Sequence, residues 1–166
     1  MKRFINIKCI IVSLCVFMIV TSLSACTAPK YNVLRSLGKY KNNVFYTESG
    51  FQSYNVYAKY NYDSPDFSEN KYFKQISESY LPEINEHLDN YESWVEVFRE
   101  NDASCEVVVN YDFDRNIIDF QDYIYIYSEK STTTFDDGTK SYSLVYYDIY
   151  FFDTQTQLLY YFHNDM

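Results

Sequence analysis

The strongest constraint on the fold is an alternation of side chains between residues 122 and 163. A period of two is the repeat of a β-strand, in which successive side chains point to opposite faces. Asp137-Gly138 and residues 153–156 are turn sequences, so the pattern predicts three consecutive antiparallel strands. One apolar face is predicted to collect Ile124, Ile126, Val145, Tyr147, Ile149, Phe151, Leu158, Tyr160 and Phe162.

The two turns set the register of these strands. A two-residue turn at Asp137-Gly138 places Ile126 opposite Ile149, and a three-residue turn with a bulge at the glycine is the alternative. A four-residue turn at residues 153–156 then places Tyr160 opposite Ile149. A slip by one residue would carry a carboxylate to the apolar side, so burial favours this pairing.

An apolar stripe with helical spacing precedes the three strands. Its members are three or four residues apart, as on one face of an α-helix. Pro82 interrupts the stripe without changing its phase, which predicts one long, proline-kinked helical region. The stripe consists of Phe73, Ile76, Tyr80, Ile84, Leu88, Tyr91, Val95 and Phe98.

Shorter alternating runs predict further strands at residues 44–48, 54–62 and 105–113. The helix stripe needs an apolar partner, and the apolar face of the C-terminal strands is the available one. The sequence therefore predicts an α+β fold with a helix packed on an antiparallel β-meander. This arrangement is similar to cystatin-like and related helix-on-sheet folds, a likeness of fold that implies no activity.

The opposite face of the predicted strands is rich in tyrosine, and we call it the tyrosine face. It comprises Tyr123, Tyr125, Tyr127, Tyr146, Asp148, Tyr150, Leu159, Tyr161 and His163. The predicted register pairs Tyr125 with Tyr150, Asp148 with Tyr161, and Tyr146 with His163.

Two interpretations of the tyrosine face are open. Tyrosine favours strands, and cross-strand aromatic pairs stabilise a half-exposed sheet. Alternatively, an exposed aromatic patch marks a contact surface for a glycan or a partner protein. The candidate ligand-binding residues are its six tyrosines: Tyr123, Tyr125, Tyr127, Tyr146, Tyr150 and Tyr161.

The residue types that carry catalysis or bind metals form no recognisable motif. The two histidines, His87 and His163, are far apart in sequence, and Cys105 opens an apolar run typical of a buried thiol. The run from Asp112 to Asn116 resembles the start of a calcium loop, but the required glycine and glutamate positions hold other residues. We therefore expect no cofactor, no metal and no enzymatic activity. A carboxylate-dependent hydrolase is the less favoured alternative.

The N-terminus has the order of an export signal. Basic residues at positions 2, 3 and 8 precede an apolar run over residues 9–20, and small residues follow. The tetrapeptide Leu23-Ser24-Ala25-Cys26 resembles the lipobox of bacterial lipoproteins. The resemblance implies that residues 1–25 are a signal peptide and that Cys26 becomes a lipidated N-terminus carrying palmitate or a similar acyl chain. An uncleaved anchor and an ordinary secretory signal are the alternatives.

Charge divides the remaining chain into a tether and an acidic body. Four basic residues and no acidic ones lie between residues 27 and 41, which favours contact with anionic lipid; a solvated tether whose charges have little effect is the alternative. From Asn42 onward, seven Lys and Arg face 23 Asp and Glu, a net charge of −16 that disfavours nucleic acid as a partner. We expect residues 26–43 to be the lipidated cysteine with its tether, and residues 44–166 to form a single α+β domain.

Together these features predict a protein anchored by lipid in the cell membrane and facing the extracytoplasmic side. The expected role is that of a non-catalytic binding or interaction module whose ligand is a glycan or a protein. An envelope accessory protein, or an inhibitor-like or immunity-like protein, is the alternative.

Replacing Cys26 with serine should abolish the incorporation of labelled palmitate, because serine lacks the thiol that is acylated. The protein should then move from the membrane to the soluble fraction. Metabolic labelling followed by membrane fractionation measures both effects. Cys105→Ala is the matched control and should keep the label; a Cys26→Ser protein that still carries palmitate contradicts the assignment.

Overall fold

The computed structural model describes residues 29–49 and 53–165. The chain divides after Ser36 into two units, residues 1–36 and 37–166. In the first unit the described element is helix α1 (Pro29–Ser36), which falls within the predicted tether. The predicted signal peptide and the predicted lipidation site, Cys26, lie outside the described residues. Across the described ranges, no helix combines the length and apolar character that a membrane crossing requires.

The second unit has an α+β fold, as the sequence predicts. Among its described residues, six antiparallel strands form one sheet in the order β1-β2-β6-β5-β4-β3. Its elements are β1 (Asn42–Ser49), β2 (Tyr54–Asn61), β3 (Lys74–Gln75), α2 (Leu81–Asn101), α3 (Glu106–Asn110), a 3₁₀ turn (Arg115–Ile117), β4 (Tyr123–Thr134), β5 (Lys140–Asp153) and β6 (Leu158–Asp165).

Helix α2 packs against the predicted apolar face of the sheet, which we call the helix face. The Tyr91 ring lies 5.3 Å from the Phe162 ring, and its hydroxyl donates to the Val56 carbonyl at 2.7 Å. One turn earlier on the helix, the His87 ring meets the edge of Tyr147 at 5.3 Å. The buried side of α2 joins strand residues in one core that includes Ile84, Leu88, Tyr91, Val95, Ile124, Ile149, Phe151 and Phe162.

The predicted proline kink is wrong, because Pro82 lies in the first turn of α2. Proline suits that position, where its missing N–H leaves no helical hydrogen bond unmade. The earlier part of the stripe is not helical. Phe73 and Ile76 are buried, but they flank β3, which pairs with β4 through Lys74 opposite Ile124. An extended segment and a helix thus contribute consecutive parts of one apolar stripe.

The strand predicted at residues 105–113 is also wrong. A short helix, α3, occupies its first half, and Cys105, Val107 and Val108 are buried there. Val109, which the alternation places on the buried side, is exposed. Over so short a run, the apolar positions fit both the two-residue period of a strand and the 3.6-residue period of a helix. Packing against the neighbouring strands favours the helix.

The β4–β5 register is confirmed, with Ile126 opposite Ile149 and Tyr125 opposite Tyr150. The turn is the three-residue alternative: the Phe135 amide donates to the Thr139 carbonyl at 2.9 Å, and Gly138 has φ +82°. Compared with a two-residue turn, this turn shifts the β4–β5 pairing next to it by one residue. A register shift between Glu129 and Lys130 restores the original pairing.

The β5–β6 register differs from the prediction by two residues, because the turn lies at residues 154–157 and Ile149 faces Phe162. Asp153 stays in the sheet, and its carboxylate accepts from the Gln155 amide at 2.8 Å and the Thr156 hydroxyl at 2.6 Å. A shift of two leaves every side chain on its predicted face. The partners change, however: Asp148 faces His163 and Tyr150 faces Tyr161.

Replacing Tyr91 with phenylalanine tests the contact between α2 and the sheet. We expect the free energy of unfolding to fall by about 1–2 kcal/mol, because the buried bond to the Val56 carbonyl is lost without a change of packing. Urea denaturation measures the effect. Tyr142→Phe removes a hydroxyl from an exposed ring and should leave stability unchanged; equal stability of both variants contradicts the role of this bond.

Candidate functional site

The connection from β2 to β3 covers one end of the tyrosine face. These strands lie on opposite sides of β6, β5 and β4, so residues 62–73 have to cross the sheet. Phe67 stacks on Tyr123, with ring centroids 3.9 Å apart and planes inclined by 6°. Tyr72 meets the edge of Tyr125 at 5.4 Å. The tyrosine face is therefore not an open platform along its whole length.

The six candidate tyrosines differ widely in exposure. Tyr150 and Tyr161 are buried, with 1% and 2% of their surface exposed. Tyr123, Tyr125 and Tyr146 are half-buried. Tyr127 alone among the six is exposed, at 38%. The structure thus brings these residues onto one face, as the sequence predicts, but only part of that face meets solvent.

A continuous line of rings crosses the other end of this face over four strands, with exposed rings at its two ends and the buried His163 between them. The ring centroids of Tyr127 and Tyr146 lie 5.8 Å apart, those of Tyr146 and His163 5.1 Å, and those of His163 and Tyr54 5.4 Å. Tyr54, at the β2 end, is 39% exposed. We call Tyr127, Tyr146, His163 and Tyr54 the aromatic row.

The sequence pattern does not identify Tyr54 as a member of this site. The alternation within β2 places it on the same side as Val56, but it does not show which strand lies beside β2. The pairing of β2 with β6, which sets Val56 opposite His163, joins segments more than a hundred residues apart. A local pattern contains no signal for such a contact.

Asp148 is the buried polar centre beneath the aromatic row. Its Oδ1 accepts a hydrogen bond from the Tyr161 hydroxyl at 2.7 Å and lies 2.9 Å from His163 Nδ1. Its Oδ2 accepts from the Tyr146 hydroxyl at 3.0 Å. Three donors from β5 and β6 thus satisfy a carboxylate that has almost no contact with solvent.

The electrostatics of this centre keep its phenols protonated. Burial raises the pKa of Tyr161 and of Tyr146, and the neighbouring Asp148 carboxylate raises both pKa values further. Both hydroxyls therefore remain donors at neutral pH. The carboxylate orients Tyr146 and His163 through these bonds, so two rings of the aromatic row are fixed before any ligand arrives.

The residues considered for metals or catalysis make structural contacts. Asp112 accepts from the Tyr57 hydroxyl at 2.6 Å and pairs with Lys59 Nζ at 2.6 Å. Although burial opposes it, these two bonds lower the pKa of Asp112. Cys105 is buried, which raises the pKa of its thiol. Within the described ranges, no three His, Cys, Asp or Glu side chains are grouped so that they could hold a metal ion.

Comparison with protein-family models, with curated proteins and with solved structures finds no match for this chain. Its function therefore has to be inferred from the residues of the site itself.

Replacing Asp148 with asparagine should lower the free energy of unfolding by about 2–3 kcal/mol, because an amide group would then face donors that need an acceptor. Chemical denaturation measures the loss. Asp136→Asn, in the exposed turn between β4 and β5, is the matched control and should be neutral. An Asp148→Asn protein as stable as this control would show that the carboxylate does not organise the row.

Proposed function

We propose that the protein is a non-catalytic binding module, anchored by lipid on Cys26 and facing the extracytoplasmic side, which holds its ligand on the aromatic row. The observation that carries the proposal is the row itself, with exposed rings at both ends and a fixed centre. Tyr54 and Tyr127 supply the exposed rings. Tyrosine offers a large apolar surface with a polar tip at a low cost in conformational entropy.

The dimensions of the row suit an extended ligand. Neighbouring strands lie about 4.8 Å apart, so a row over four strands spans about 14 Å. This length matches a few sugar rings or a short extended peptide. Rings fixed in advance lose little freedom on binding, which favours affinity.

The non-catalytic assignment agrees with the chemistry of the site. The Asp148 carboxylate is engaged by Tyr161, Tyr146 and His163 at the same time. A carboxylate used in this way orients neighbouring groups and offers little capacity as a general base. A cystatin-like relation of the fold is a further part of the proposal, supported by one long helix lying on an antiparallel sheet.

An inhibitor-like or immunity-like role, or that of an envelope accessory, is the second candidate. It is favoured by the β4–β5 hairpin, which continues beyond the last β6 pair, Tyr146 with Asp165. Phe135 and Tyr142 lie on this extension and are 53% and 65% exposed. A protruding hairpin with exposed aromatic rings fits the cleft of a partner protein.

The double variant Tyr54→Ala, Tyr127→Ala tests the aromatic row. Glycans and candidate partner proteins that the wild-type protein binds on an immobilised array should lose affinity at least about tenfold, because two exposed contact rings are removed. Titration by surface plasmon resonance measures the change.

Tyr142→Ala is the control for this test, since it removes an even more exposed ring, one that lies on the hairpin and outside the row. A loss seen only with Tyr142→Ala supports the inhibitor-like role. Unchanged affinity of the Tyr54→Ala, Tyr127→Ala protein contradicts binding on the row. Truncation of Tyr150 is not a suitable test, because this buried ring contributes to stability.

A further inference from the structure

The outer edge of β4 is paired over only a small part of its length. β3 has two residues, and these pair with Tyr123 and Ile124. From Ile126 to Thr134, no strand of the described part of the chain lies on the outer side of β4. Such edges normally attract another strand unless the protein protects them.

The direction of the backbone groups follows from the neighbouring hydrogen bonds. The Ile76 amide donates to the Asp122 carbonyl at 2.9 Å across this outer edge. In an antiparallel sheet, alternate residues direct both backbone groups to the same side. Ile126 and Ser128 therefore present their N–H and C=O groups outward. The bond from the Phe135 amide to Thr139 shows that odd-numbered residues face β5 instead.

A groove of about 310 Å³ runs beside this open edge, between β4 and the start of α2. Three isoleucines and three tyrosines contribute to its lining. Its charged members are two lysines and one glutamate. The lining consists of Lys71, Tyr72, Lys74, Tyr80, Glu83, Ile84, Ile124, Tyr125 and Ile126.

The two lysines of the groove lie near aromatic rings and form no ion pair within the described residues. Lys71 Nζ lies 5.0 Å from the Tyr72 ring centroid, and Lys74 Nζ lies 5.5 Å from that of Tyr80. Neither forms an ion pair with a carboxylate of residues 29–49 or 53–165, whereas Lys59 and Arg115 do. In a domain as acidic as this one, two such cations at one groove favour a negatively charged ligand.

We propose that the groove and the open edge of β4 bind an extended acidic segment of a partner protein, which joins the sheet as a seventh strand. The backbone of the segment pairs with Ile126 and Ser128. Its alternate side chains enter the groove, and its carboxylates meet Lys71 and Lys74. Glu83 disfavours a further carboxylate at its own end of the groove. This site is separate from the aromatic row and stands independently of it.

A synthetic peptide of about eight residues that alternates valine and glutamate is the direct probe, since this length spans the open edge. The full-length lipidated protein in nanodiscs is titrated against the fluorescein-labelled peptide, and anisotropy is recorded. The control peptide carries lysine in place of glutamate. We expect the acidic peptide to bind at least about tenfold more tightly than the control at about 0.05 M salt, and more weakly at about 0.3 M.

Two sets of variants test the groove lysines and the β4 edge separately. Lys71→Glu with Lys74→Glu should weaken peptide binding at least about tenfold, because attraction becomes repulsion. Ser128→Pro should weaken it about fivefold, since proline removes an outward N–H but leaves the ladder to β5 intact. Lys140→Glu, an exposed change away from the groove, should leave affinity within about twofold. Thermal melting verifies that each variant is folded.

Equal affinity for the acidic and the lysine peptide overturns the proposal, and so does full binding by the Lys71→Glu, Lys74→Glu protein. Competition by inorganic phosphate, together with an unaffected Ser128→Pro protein, identifies a small-anion site and equally rejects strand addition. The Tyr54→Ala, Tyr127→Ala protein should bind the peptide normally, which distinguishes this site from the aromatic row.

Discussion

The rest of the structure depends on the burial of both faces of the sheet. This burial is most complete at β6. From Leu159 to Asn164, every residue of β6 is buried, whichever face it points to. A polar side chain in such a strand needs a partner inside the protein. His163 therefore lies against Asp148, and Asn164 donates to Asn55 at 2.6 Å. The contact between His163 and Asp148, which meets this need for a partner, lies at the centre of the candidate site.

The part of the fold that could be predicted is the part in which apolar residues recur at a regular local spacing. The alternation around Ile126 and Ile149 identifies the C-terminal strands and assigns their faces. In the β5–β6 pair, a register error of two residues does not change the face of the sheet to which a side chain is assigned. The predicted β4–β5 register is correct near Ile126 although the turn has three residues instead of two, because a bulge compensates for the extra residue. The assignment of side chains to faces fails beside the bulge, where Leu144 enters the core in place of the predicted Val145. Elsewhere in these strands it holds, whereas the identity of the opposing residue does not.

The features that could not be predicted depend on contacts between distant segments. The stripe through Phe73 and Ile76 looks helical until the pairing of β3 with β4 is known. The cover that residues 62–73 place over Tyr123 follows from the strand order, which no local pattern reveals. Tyr54 enters the aromatic row only through the pairing of β2 with β6.

The pairing of β2 with β6 also affects when the sheet becomes complete during folding. Val56 and Ala58 find their partners, His163 and Tyr161, only in β6, about a hundred residues later in the chain. Until β6 joins the sheet, the β1–β2 hairpin has one unpaired edge. Completion of the sheet therefore requires residues 158–165. A truncated product lacks the central strand of the sheet.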